Sequence, residues 1–347
     1  MNMAWKEMKK NKVRFLILGS IVFLVSLLTF IISGLANGLS QDNASLIKDM
    51  PEGDFFMESE ADKTYNFSSI VTNMQQEIVE NNKDAILFSI QMGYFLDEQE
   101  KQRSVAFVAS NDNQLLEQPK RGEVILDHSL QEEGVKIGDT IANDQWNKDL
   151  QVTGFVEQQK FNHSAVAFIN KKDYQEIYHT EDIQLAFIPE ESTTGTAPYF
   201  NELESFDKGE FLNTIPSYNA EQLSLNMIVI FLIVISGMLF AIFFYMINVQ
   251  KIGLYGILKA IGVKTGALFR MMWTQMLIIT TISLAVSIGL SHAFQIIAPR
   301  NMPFHLTLES TILLSIVFLF IGFIGSTLSG IQIKRVEPLQ AIQQGEM

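Results

Sequence analysis

FLILGSIVFLVSLLTFIISGL, Phe15 to Leu35, is a run of 21 residues without a charge. At the α-helical rise it covers about 30 Å, the thickness of a bilayer's hydrocarbon core. One membrane-spanning helix is therefore expected here, and the rest of the fold is read outward from it. Three comparable apolar blocks lie near the C-terminus, at Leu225–Val249, Met271–Ala298 and Thr311–Ile333. The pattern is one span, a domain of nearly 190 residues, then three spans. The expected fold class is a membrane α-helical protein of four transmembrane helices, arranged 1+3, with an α+β extracytoplasmic domain inserted between helices 1 and 2.

Composition agrees with that division. The chain has 347 residues, 48% of them hydrophobic and only 18% charged, too apolar for an ordinary soluble domain. Its net charge of −13 is unevenly distributed. Residues 36–222 hold 34 Asp and Glu against 13 Lys and Arg, a balance of −21; the other residues hold 4 against 12, a balance of +8. An acidic domain argues against a nucleic-acid partner, which would need a basic surface on the folded part. The absence of Cys removes disulfides, thiolate metal sites and Cys nucleophiles.

Lys6, Lys9, Lys10, Lys12 and Arg14 precede the first apolar block, as they would in a signal peptide. The block exceeds the roughly 7–15 residues of a signal core, however, and no A-x-A site follows, so a retained anchor is expected. Short segments rich in Lys and Arg stay on the cytoplasmic side. The leader and the link carrying Lys251, Lys259, Lys264 and Arg270 are then cytoplasmic. The expected order is a cytoplasmic segment 1–14, helix 15–35, an extracytoplasmic domain 36–222, helix 223–249, a cytoplasmic coupling segment 250–270, helix 271–298, an outer loop 299–310, helix 311–333 and a cytoplasmic tail 334–347. Both termini are cytoplasmic on this reading.

Within 36–222, Phe67–Asn82 has helical spacing, with Ile70, Val71, Met74, Ile78 and Val79 on one side. Ser104–Ala109, Glu123–Leu126, Leu150–Phe155 and Ala165–Ile169 read as strands bounded by Asn, Asp and Gly. Between them "VKIGD" supplies turn chemistry at Gly138–Asp139. No catalytic residue is expected. His128, His163 and His179 lack metal-ligand spacing, there is no H-E-x-x-H and no G-x-S-x-G, and no metal site is expected.

Lys251–Arg270, KIGLYGILKAIGVKTGALFR, is amphipathic rather than spanning, with Ile252, Tyr255, Leu258 and Ile261 recurring at helical spacing. Glycines 253, 256 and 262 weaken it enough to expect a broken helix. The segment is either a plain interfacial joint or an element pushed by a cytoplasmic motor. No G-x-x-x-x-G-K-[ST] occurs, so the chain is not expected to be an enzyme, and ATP would be bound and hydrolysed by a separate subunit.

Three separated stretches, "AWKEMKKNKVRFL" (Ala4–Leu16), "YGILKAIGVKTGAL" (Tyr255–Leu268) and "KRVEPLQAI" (Lys334–Ile342), resemble the FtsX-like, or MacB-type, permeases of ABC transporters. The 1+3 order and the run "GEVIL…VKIGDT…VTGFVE…AVAFIN" resemble that family as well. Within it, "ISGLANGLSQDNASL", "SYNAEQLSLNMIVI", "FFYMINVQKIGLYGILKAIGVKT" and "NMPFHLT" are similar to the haem-exporting permeases of Gram-positive bacteria. The resemblance implies a cell-membrane protein working as two copies with two copies of a separate cytoplasmic ATPase, surrounded by lipid. It also implies that Gly256, Lys259, Ala260, Ile261 and Gly262 form the ATPase-coupling motif. The family's usual Glu before the glycine is Tyr255 here.

Haem export implies a path with apolar walls and one or two iron ligands near the outer half of the membrane. Candidates are Tyr218 and Met227 at the entry to the second span, Met50 after the first, and His292 and Met302 near the outer end of the third. Each also has an ordinary reading, Tyr as belt residue and Met as packing residue. An ionisable His292 within a span invites a functional one. Haem is thus expected as transported cargo, with no intrinsic cofactor. Two other readings stay open: export of another amphipathic cargo such as a lipid, lipoprotein or antimicrobial peptide, and mechanotransmission to an extracellular partner without transport.

Overall fold

The computed structural model describes residues 2–143, 146, 148–192, 200, 202–299 and 302–335. A short helix α1 (Asn2–Lys10) precedes a long one, α2 (Lys12–Lys48). Then come β1 (Gly53–Glu58), α3 (Thr72–Asn81), β2 (Ile86–Leu96), β3 (Gln102–Ser110), β4 (Glu123–Asp127), α4 (His128–Glu132), β5 (Thr140–Ile141) and β6 (Leu150–Val156). They are followed by β7 (Lys160–Phe161), β8 (Ser164–Ile169), α5 (Lys171–Tyr178), β9 (Leu185–Pro189), β10 (Leu203–Asp207) and α6 (Lys208–Thr214). The chain closes with α7 (Pro216–Val249), α8 (Ile252–Ala260), α9 (Thr265–Ile297) and α10 (Leu308–Arg335).

Among the described residues four helices, α2, α7, α9 and α10, are long and apolar enough to cross a membrane. A β-rich soluble region lies between the first and the second of them. The protein is therefore an α-helical membrane protein with an inserted α+β region. Two compact units divide the chain, Met1–Gly38 with Ser224–Met347, and Leu39–Leu223. The tail from residue 336, which holds most of "KRVEPLQAI", and Asn301 of "NMPFHLT" lie outside the described residues.

In the helical unit, Phe15, Leu18, Val22 and Phe30 of α2 are buried with Phe240 and Phe244 of α7, Met272 and Met276 of α9 and Phe318 of α10. Small residues bring α2 against α9. The Ser283 hydroxyl donates to the Gly19 carbonyl at 2.9 Å, and Ser26 and Ser287 share a hydrogen bond at 2.7 Å. Such contacts hold helices together where lipid removes the hydrophobic drive, at about 0.6 kcal/mol each. Leu24, Leu28, Phe231, Met238, Leu313 and Phe320 point away from this core and are exposed. Against water that arrangement would be unfavourable, and a hydrocarbon solvent removes the cost.

Gly34 and Gly38, one turn apart on α2, form a slot for the segment between α9 and α10. The Phe304 ring lies 2.5 Å from where a Cβ on Gly34 would sit, and the Pro303 backbone 2.2 Å from one on Gly38. His305 N–H donates to the Gly34 carbonyl at 2.8 Å, and the Asn37 amide donates to Ser310 Oγ at 3.1 Å.

The soluble unit is built on one mixed sheet of order β10-β1-β9-β2-β3-β8-β4-β6-β5, with β7 paired to β8. β3–β8 and β4–β6 are parallel and the other pairs antiparallel. Side chains alternate across it: Phe55, Phe88, Ile90 and Val108 belong to one buried cluster, while Phe56 and Leu87 on the opposite face belong to another. Both faces of the central strands are covered, so these strands read as unbroken apolar runs.

Expected strands at 104–109, 123–126, 150–155 and 165–169 correspond to β3, β4, β6 and β8. The expected helix at 67–82 is shorter, and this is a correction. Ile70 instead exchanges hydrogen bonds of 2.7 and 3.2 Å with Ile183, which holds residues 70–71 extended, and α3 starts at Thr72. Gly138 does take the left-handed conformation, φ 97°, and donates to Val152 O at 2.8 Å.

Candidate functional site

The segment between α7 and α9 breaks at Gly262, whereas Gly253 and Gly256, also expected to weaken it, lie inside the unbroken helix α8. α8 ends in a complete Schellman motif: Gly262, at φ 93°, donates to the Lys259 carbonyl at 3.0 Å, and Val263 donates to the Leu258 carbonyl at 2.9 Å. α9 then begins at Thr265, within the stretch 250–270 read as link. Of the expected coupling residues, Gly256 is buried, Lys259 is half-buried, and Ala260, Ile261 and Gly262 are exposed at the end of α8. Leu254, Ile257 and Ile261 expose an apolar stripe at helical spacing, while Tyr255 and Leu258 are buried.

Polar contacts add to the apolar packing of Tyr255 and Leu258 in holding α8. Tyr255, 1% exposed, donates from its hydroxyl to Asn248 Oδ1 at 3.1 Å, and Asn248 donates to Ser329 Oγ at 2.7 Å. Burial, with the Glu7 carboxylate nearby, pushes the Tyr255 phenol above its ordinary range. Tyr255 is thus an inward anchor of α8. Beside it Lys251 pairs with Glu7 of α1, and both are largely buried. Gln275 of α9 donates to the other Glu7 oxygen at 2.7 Å, and the Lys251 ammonium lies 5.4 Å from the Phe15 ring centroid. Breaking such a pair by removing one partner strands a buried charge.

The cargo-path candidates fall into two groups. In the soluble unit, Met50 is 5% exposed within the apolar core, and Tyr218 packs partly buried against the same cluster. The Tyr218 hydroxyl accepts from Ser40 Oγ at 3.3 Å, and Lys48 donates to that same Ser40 hydroxyl at 2.9 Å. In the helical unit, Met227 is exposed on α7, Met302 is 37% exposed beside the Pro303–Phe304 slot, and His292 is half-buried on α9.

Residues 226–338 match the family described as FtsX-like permease C-terminal. They carry an FtsX-like permease domain. The chain is homologous to proteins named "Putative hemin transport system permease protein HrtB". In Staphylococcus haemolyticus the identity is 26%, covering 99% of both chains; in two strains of Staphylococcus epidermidis it is 27% and 26%, covering all of both chains.

The FtsX-like domain begins ten residues into α7, and the turn of α7 before it carries a cluster that the sequence does not announce. His163, at the tip of the β7–β8 hairpin with φ 60°, lies 3.3 Å from the Glu221 carboxylate. The Asn43 amide donates to Glu221 at 3.0 Å and approaches His163 Nε2 at 3.1 Å, while Ser217 donates to Asn43 Oδ1 at 3.1 Å. Tyr218 sits in the same turn as Ser217 and Glu221. Read from sequence, His163 is an ordinary surface histidine. The signal available was "FNHS", two residues that tolerate positive φ between short β-branched or aromatic runs, which marks a tight hairpin. Tyr218, Ser40 and Lys48, and Ser217, Asn43, Glu221 and the hairpin's His163, are thus two hydrogen-bonded sets on neighbouring turns of α2 and α7.

Proposed function

We propose that this chain, a permease of an ABC transporter, exports haem from the membrane and so relieves haem toxicity. The supporting observation is full-length similarity to the staphylococcal HrtB proteins, whose name specifies hemin transport. Two copies would work with two copies of a separate ATPase, with both termini cytoplasmic and the −21 soluble region outside. Lys and Arg in the leader and link support that orientation.

The proposed docking element is the end of α8, residues 256 and 259–262, whose apolar stripe Leu254–Ile257–Ile261 would seat in the ATPase. ATP-driven closure would draw the inner ends of the spans together and expel cargo outward. Tyr218 is the proposed first ligand on the path, and His163 of the same unit a second. Met227, His292 and Met302 would line the membrane part, whereas the burial of Met50 favours a packing role.

The test is to reconstitute the permease with its ATPase in lipid nanodiscs and record ATP turnover and the Soret band against haemin. A saturable Soret shift with altered turnover is expected, and it should weaken in Tyr218→Phe. Steady turnover with an unmoved Soret band rejects haem as cargo. The acidic soluble region favours a second reading, a cationic amphipathic peptide as cargo, since clefts of one sign concentrate opposite charge. Peptide-stimulated turnover without a haemin response selects it.

A further inference from the structure

We propose that the groove between the N-terminal helices and α9 is a binding site for one anionic phospholipid. The groove has a volume of about 410 Å³ and is lined by α1, the first turns of α2, and α9. Its walls are hydrocarbon, from Met8, Phe15, Leu16, Phe23, Ile279 and Ile282. Lys9 and Lys12 line it at one end only, next to Trp5.

Three features select the occupant. First, among the described residues neither Lys9 nor Lys12 has a carboxylate within ion-pair distance; Lys9 lies 5.8 Å from the Trp5 ring centroid. Two cations at the mouth of an apolar groove match an anionic headgroup on acyl chains. Second, the lining of α2 runs from Lys12 to Phe23, about 16 Å at the helical rise and half of a roughly 30 Å hydrocarbon core. The groove is as deep as one leaflet. Third, of the two serines that line it, Ser283 already donates to the Gly19 carbonyl, which leaves the Ser20 hydroxyl as a lone small polar group in a largely hydrocarbon wall. Haem shares the combination of apolar body and carboxylates, but the lining holds no His or Tyr and offers the iron only the Met8 thioether. A flat macrocycle would also leave a slot of this length part-filled.

Trp5 reports occupancy. Full-length permease in which Trp146 and Trp273 are replaced by Phe is reconstituted in phosphatidylcholine nanodiscs. Increasing fractions of dibrominated phosphatidylglycerol or dibrominated phosphatidylcholine are then introduced, and Trp5 quenching is recorded. Preference for phosphatidylglycerol is expected at about five-fold per lysine, about twenty-five-fold for the pair. Lys9→Gln with Lys12→Gln should abolish it, while Lys6→Gln with Lys10→Gln, outside the groove, should leave most of it. Native mass spectrometry of the chain with all its tryptophans, counting retained phosphatidylglycerol, reads the same preference if the Trp replacements disturb folding.

Equal quenching by the two lipids, or an equal loss in both lysine pairs, overturns the site and leaves only a generally basic leader. Absence of quenching by either lipid also overturns it, with the groove then closed by a second copy. Displacement of the brominated lipid by haemin with a Soret change assigns the groove to cargo and overturns the lipid.

Discussion

Asp54 and Asp207 face each other across the β1–β10 pair, and like charges opposite one another weaken a sheet. Burial, reinforced by the carboxylates of Asp207, Glu190 and Glu210, holds the Asp54 carboxyl above its ordinary range. Its charged form is therefore less favourable folded than unfolded. The penalty is fully present above the folded pKa and vanishes as pH falls below the unfolded value. Asp54→Asn should raise stability at pH 7 by about 0.2–1 kcal/mol, with the gain shrinking as the medium is acidified. Denaturant melts of the intact chain at several pH values check both the gain and its sign. Asp207 is not the residue to change, because it caps α6 and accepts from Glu210 N–H at 2.7 Å. Gly262 offers a second residue-scale contrast. Nothing lies within 4 Å of a Cβ there, so Gly262→Ala meets only the left-handed backbone, at about 1–2 kcal/mol. Gly253→Ala, also in open space but within α8, should instead gain up to about 1 kcal/mol. Thermal midpoints moving the same way in both variants would contradict the Schellman cap as the reason for a glycine.

Elements were unevenly legible. The four long helices follow from apolar blocks that have no other use at that length, and β3, β4, β6 and β8 from short runs between turn residues. β1, β2, β9 and β10 were not named in advance, for a physical reason. Phe55 and Phe56, or Leu87 and Phe88, are buried on opposite faces, so the alternation that marks a half-exposed strand is missing. The helix at 67–82 was overextended because an apolar residue in a β-bridge, Ile70, mimics helical period. Of the site, the glycine-broken link could be read, but the inward turn of Tyr255 could not, since its partners Asn248 and Ser329 are spread over 81 residues. The spacing of Gly34 and Gly38 reads as a helix-pairing motif, yet this chain's own Phe304 fills it. Gly38→Ala places a methyl against backbone that cannot rotate away, so the segment at 302–305 should be displaced. Because the chain lacks Cys, Met302→Cys is a clean reporter. Its maleimide labelling should rise several-fold when Gly38→Ala is added, and an unchanged rate would mean that the slot tolerates the methyl.

At the scale of the whole molecule, the exposed stripe on α8 makes a separable prediction. Ile257→Glu with Ile261→Glu removes apolar surface without touching the Tyr255 anchor or the Schellman cap. The permease should therefore fold and insert normally while losing its ATPase. Co-purification is expected to drop at least ten-fold, and full retention of the ATPase would move the docking face elsewhere. Sheet topology carries a different consequence, for how the protein is made. β1 is flanked by β9 and β10, so a strand that ends at Glu58 has no partner until residues beyond 185 exist. At ~5–20 residues per second, roughly 6–25 s of synthesis separates them. Throughout that interval the apolar segment Phe55–Met57 is a nascent, unpaired edge, held only by the helix that precedes it. Biogenesis of this protein thus includes a stage in which its first strand depends on chaperones for protection, and closure of the sheet coincides with arrival of the second membrane helix.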